Sequence, residues 1–160
     1  MKSHTLISRL MAALLTASLL MQTQSALASG MATADLLVLA EGGNSMAQRT
    51  LGERFAMGIE GVIKDTNQAI FWWQQAADKG DAAAQYYLGQ MYRQGVVVMQ
   101  GWVQAHMWFS LVETSNKRTA AAMQRKKQAE SNRQAAETNM TAEQIKEAQL
   151  LAQEWLAKHK

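Results

Sequence analysis

The residue types here best suited to chemistry are three histidines, His4, His106 and His159, and two carboxylates seven apart, Glu53 and Glu60. A bound zinc needs several imidazole, thiolate or carboxylate ligands converging on one ion, at spacings that a helix or turn can close. No two of these histidines stand at such a spacing, and the chain has no cysteine, so no metal is expected and thiol chemistry and disulfides are excluded. His106 stands alone on a helical pattern and reads as a partly exposed surface residue, while His159 falls at what should be a frayed end. A general acid–base pair requires surroundings that drive two pKa values apart. Glu53 and Glu60 sit where charged side chains are ordinarily solvated, so no catalytic role is assigned to them. The nucleophile motifs Gly-x-Ser-x-Gly and Ser-x-x-Lys are absent, as are the phosphate loop and the dinucleotide fingerprint, and no cofactor is expected.

The elements that would carry any other site begin after a leader. Lys2 and Arg9 precede the apolar run Leu10 to Met21, and Ala26-Leu27-Ala28 places small residues where a signal peptidase reads. Residues 1–28 are therefore expected to be a signal peptide, cleaved before Ser29, of a periplasmic or secreted protein. The apolar run is too short for a bilayer span, which takes about 20 such residues. Residues 29–116 carry five basic and eight acidic residues, and residues 117–160 carry nine and five. That mildly basic tail falls short of the clustered charge that nucleic acid or a membrane surface requires, and neither is expected as a partner.

The stretch GNSMAQRTLGERFAMG at 43–58 returns as GDAAAQYYLGQMYRQG at 80–95. Ala40 falls on Ala77, Gly43 on Gly80, Ala47 on Ala84, Gln48 on Gln85, Leu51 on Leu88, Gly52 on Gly89 and Gly58 on Gly95, all at a step of 37. One residue then drops out, so Ala69 falls on Ala105 and Trp72 on Trp108, with Trp73 matching Phe109. A period of this size is the mark of stacked helix pairs. In each unit an Asn44 or Asp81 cap opens a helix with apolar residues every three to four positions, and Gly58 or Gly95 stops it. Asp65 caps the second helix of the first unit. Gly52 and Gly89 lie inside helices, where each costs about 1 kcal/mol against alanine, so a close approach by the neighbouring backbone is expected there.

On these residues the chain resembles the Sel1-like repeat family, relatives of the tetratricopeptide repeats. The first copy meets the pattern through Ala47, Leu51, Gly52, Phe55, Gly58, Gly61, Asp65, Ala69, Trp72, Trp73, Ala76, Ala77 and Gly80. The second meets it through Ala84, Leu88, Gly89, Tyr92, Gly95, Val98, Ala105, Trp108 and Phe109. Val97 and Gly101 depart from it, so the second unit lacks the capping carboxylate that Asp65 supplies to the first. The resemblance implies an all-α solenoid of two α-α hairpin repeats with capping helices at both ends. The expected divisions are 29–43 as a partial repeat or N-terminal cap, 44–80 and 81–116 as repeats, and 117–160 as C-terminal capping helices.

In that plan Leu36, Leu37 and Leu39 to Ala40 form an apolar lid. Lys117 to Asn139 is one long helix with Ala122, Ala129, Ala136 and Met123 as a thin apolar edge. Thr141 opens a last helix with a capping box to Gln144 and a buried face of Ile145, Ala148, Ala152 and Trp155. Two units are fewer than the roughly three that a stack ordinarily needs. The terminal helices, or a second copy of the chain, must close the ends. The resemblance also implies an envelope scaffold or adaptor, with Gln48, Arg49, Glu53, Tyr86, Gln90 and Arg93 on the partner-binding faces of the first helices. The alternative it leaves open is cell-wall binding or weak lactam hydrolysis.

Overall fold

The structure, a computed structural model, describes residues 31–96, 101–115 and 119–159. The expected leader, His4, Val97, Val98 and the boundary at 116 and 117 lie outside these. The described residues form helices α1 (Thr33–Glu41), α2 (Ser45–Met57), α3 (Thr66–Ala77), α4 (Ala82–Arg93), α5 (Trp102–Glu113), α6 (Ala120–Glu137) and α7 (Ala142–Lys158), with no strand among them.

Side chains at the helix starts satisfy amide groups that no earlier turn can reach. Asn44 accepts from the Ala47 amide, Asp65 from those of Asn67 and Gln68, and Asp81 from those of Ala83 and Ala84. Thr119 caps α6, and Thr141 forms the capping box with Gln144 on α7. The α5 helix begins at Gly101 with no side-chain cap. Gly58 and Gly95 both adopt φ +70°, the left-handed turn that ends a helix at little cost only without a Cβ.

The hairpins α2–α3 and α4–α5 stack through α3 against α4. One apolar cluster crosses both, joining Ala69, Trp73, Ala76 and Ala77 of α3 to Leu88 of α4, Trp108 and Leu111 of α5 and Ala152 of α7. A second joins Leu36 and Ala40 of α1 to Leu51 and Trp72, and a third joins Phe109 and Val112 to Ala129 of α6. Phe55 packs on the first two clusters and Tyr92 on the first and third, so the interior is continuous.

The space at the two helical glycines is taken by an aromatic ring and not by backbone. A Cβ on Gly52 would lie 2.4 Å from the Trp73 indole, and one on Gly89 would lie 2.6 Å from the Phe109 ring. The Trp73 indole N–H finds no acceptor, so volume and not polarity selects the ring there. The repeated spacing has a second consequence at Gln48 and Gln85. Gln48 Nε2 donates to the Ala40 carbonyl at 2.9 Å, and Gln85 Nε2 donates to that of Ala77 at 3.4 Å. Both glutamines staple the open carbonyl end of the preceding second helix, and α1 therefore occupies the place of a second helix.

The ends differ from expectation in several places. Leu36 and Ala40 are the buried part of α1; Leu37 and Leu39 are over a third exposed and Val38 is 69% exposed, because α1 packs mainly on α2. On α6 the buried stripe is Ala122, Ala129 and Ala136, while Met123 turns outward at 62% exposure. On α7 Ala148 and Ala152 are buried, and Ile145 and Trp155 are half-buried. Although only four residues join α6 to α7, the two helices make little contact and both dock on α5. His159 is held rather than frayed: its ring stacks on Trp155 at 4.1 Å and its Nδ1 donates to the Trp155 carbonyl.

Gly52→Ala tests the glycine–ring fit. Helix propensity alone predicts a gain of about 1 kcal/mol, whereas overpacking against Trp73 predicts a net loss of about 1–3 kcal/mol. Urea unfolding should show a lowered midpoint with an unchanged slope, and a raised midpoint would refute the fit.

Candidate protein-interaction surface

The first helices of the two hairpins, α2 and α4, bring five of the six expected residues to one face and bury the sixth. Gln48 is 3% exposed and belongs to the staple described above, where Lys79 Nζ also donates to its Oε1. Its assignment to a binding face fails because a helix-end carbonyl draws a reachable amide inward.

Four of the remaining five repeat one spacing. Arg49 Nη1 donates to Glu53 Oε1 at 2.7 Å, four residues on. At the matching positions of α4, Gln90 Nε2 donates to the Tyr86 hydroxyl at 3.2 Å. Each pair then reaches the next unit. The Arg49 Nε lies 3.5 Å from Asp81 Oδ2, and Asn132 Nδ2 of α6 donates to the Tyr86 hydroxyl at 3.2 Å. Arg93 Nε donates to Gln90 Oε1 at 3.0 Å. Tyr86 rests on Phe109, and its neighbour Tyr87 stacks on Trp73 at 4.9 Å.

Tyr87 is the residue that sequence reasoning missed, although it completes a tyrosine doublet with Tyr86. Burial pushes its phenol up from the ordinary value, and the hydrogen-bonded carboxylate of Glu53 adds to the rise against the opposing pull of Arg49 and Arg125. For Arg49, burial acts downward, yet Glu53 and Asp81 outweigh it and the guanidinium is held charged. The face is therefore a network of half-buried groups, fixed before any partner arrives. Arg125 and Asn132 carry no local signal, since their place depends on how α6 docks.

The residues first suspected of chemistry have structural engagements. Glu53 is tied to Arg49, and Glu60 lies in the turn after α2, where its carbonyl accepts from Thr33 Oγ1. His106 is 1% exposed, contrary to the surface place expected for it, because α6 covers this side of α5. Its Nε2 meets Glu137 Oε1 at 2.9 Å, and Arg133 bridges Glu137 to Glu113. Ser110 lies 3.4 Å from His106 Nδ1, a nucleophile–base–acid order, but its hydroxyl donates to the His106 carbonyl at 2.9 Å and the ring is closed off from solvent. This set clamps α5 to α6.

The sequence pattern described as the Sel1 repeat matches residues 45–81 and 82–111, the two hairpins in turn. The two hairpins are Sel1 repeats. Among solved structures, the chain is similar to the crystal structure of a protective antigen present in uropathogenic Escherichia coli strains and displaying an SLR fold. That similarity runs at 33% identity and a TM-score of 0.66 over 79% of this chain. The chain spans about a quarter of the antigen's length, 25% of it. None of the curated proteins compared with the chain matches it. Sel1 repeats generally mediate protein–protein interaction. No described helix is long and apolar enough to cross a membrane.

Tyr87 should titrate above the ordinary tyrosine value of about 10. A phenol whose folded value is raised stabilises the fold below the unfolded value, and that contribution is lost as the pH rises through the folded one. Ultraviolet titration should show one late phenol that Glu53→Gln brings downward and Tyr87→Phe removes. An unmoved late phenol in Glu53→Gln would refute the coupling.

Proposed function

We propose that the protein is an exported helical-repeat scaffold of the bacterial envelope that binds another protein and performs no chemistry of its own. The observation that carries this reading is the pre-fixed face across α2, α4 and α6, where Arg49, Glu53, Tyr86, Gln90 and Arg93 are held by each other and by the next helix. A surface ordered in advance loses little conformational freedom when a partner docks, which favours binding. Tyrosine and arginine are also the types that anchor interfaces. Export is supported by Lys2 and Arg9 before the Leu10 to Met21 run and by Ala26-Leu27-Ala28, and the similar solved structure is that of a protective antigen.

Pull-down from an envelope extract tests the reading. Wild-type protein should retain a partner that is lost when Tyr86→Ala and Arg49→Ala are combined, with helical content by circular dichroism unchanged. Retention of nothing above background would count against the scaffold, and turnover of a chromogenic lactam or sedimentation with peptidoglycan sacculi would turn the assignment toward the cell-wall alternative.

A further inference from the structure

The arginines of the described residues divide into two groups. Arg49 is neutralised by Glu53 and Asp81, and Arg133 by Glu113 and Glu137. Arg54 is buried, and its guanidinium donates to the Met31 carbonyl and Thr33 Oγ1, holding the start of α1 against α2. Arg93 and Arg125 are different. Both are half-buried, and among the described residues neither has a carboxylate within ion-pair distance. Among the described residues the acceptor of Arg93 is the neutral Gln90 amide. Arg125 stands seven residues before Asn132 on α6, and it opens the run Arg125-Lys126-Lys127, none of which is ion-paired among the described residues.

These two guanidinium groups border one seam. Tyr86 and Gln90 link Arg93 to Asn132 through a chain of hydrogen bonds, and Asn132 is two helical turns from Arg125 on α6. Partly desolvating a cation without a counter-charge is unfavourable, and a carboxylate in bidentate contact relieves it. Tyr86, a member of that chain of hydrogen bonds, and its neighbour Tyr87 offer apolar contact area with few rotamers to freeze.

We propose that the seam between α4 and α6 binds an acidic linear segment of a partner protein, with carboxylates on Arg93 and Arg125 and apolar side chains on Tyr86 and Tyr87. This rests on the reading of the first-helix face as the binding surface and names the class of partner it takes. The seam leaves the Arg49 network intact, so the two can be tested apart.

The probe is a short fluorescein-labelled peptide of glutamates and aspartates with two phenylalanines, read by fluorescence anisotropy on the full chain. A counterpart with glutamine in place of every acid serves as reference. The acidic peptide should bind more tightly than its counterpart and weaken with added salt. Arg93→Gln and Arg125→Gln should each cost about tenfold in affinity, and the two lysine replacements should fall between, since lysine keeps the charge and loses the fork. Lys146→Gln with Lys158→Gln, on α7, should change nothing. Equal binding of the two peptides, an equal loss from the α7 pair, or tighter arginine-dependent binding of a single-stranded oligonucleotide would overturn the proposal. Should the envelope partner depend on Tyr86 and Arg49 but not on Arg93 and Arg125, the acidic class fails while the binding face stands.

Discussion

Everything in this fold depends on a hole in each first helix being filled by a ring from the second. Gly52 lies under Trp73 and Gly89 under Phe109, each with less room than a methyl group needs. The ring brings the helix axes of a hairpin together at one spot and sets which way the second helix faces. Once that is set, Ala76 and Ala77 of α3 present only small side chains to Ala84 and Leu88 of α4, and the hairpins nest closely. The about 1 kcal/mol that a mid-helix glycine costs is small beside the burial of a whole aromatic side chain, which reaches roughly 1.5–3 kcal/mol.

The polar face inherits its order from that packing. Tyr86 and Tyr87 lean on Phe109 and Trp73, the same rings that fill the glycine holes. Their hydroxyls are thereby carried to fixed positions, where Glu53, Gln90 and Asn132 meet them. Core and surface are thus one construction: a change in ring size below would be felt in the hydrogen bonds above. The Gln48 and Gln85 staples do the same along the stack, tying each first helix to the helix before it.

Much of this was legible because the repeat prints it twice. The helix starts, the glycine stops, the buried stripe and the missing cap at Gly101 all follow from local pattern and period. What failed were residues whose surroundings come from elsewhere in the chain. His106 looks like a lone surface histidine until Glu137, 31 residues later, closes over it. The repetition of Gln48 as Gln85 was visible, but repetition alone does not tell an outward-facing amide from one turned toward a carbonyl of the preceding helix. Arg125 and Asn132 were beyond reach for the same reason, since the alanine stripe of α6 shows which face is buried but not which helix it meets. Met123 was misplaced because the buried period in α6 is seven, and it falls one position off that line.

The two ends of the stack are unequal. At one, α5 is enclosed by α4, α6 and α7, and His159 fastens the last helix by stacking on Trp155. At the other, α1 rests mainly on α2 and turns Val38 outward. Among the described residues the array is closed at one end only: a further hairpin placed after α5 would first have to unseat two helices, whereas Val38 on α1 lies open.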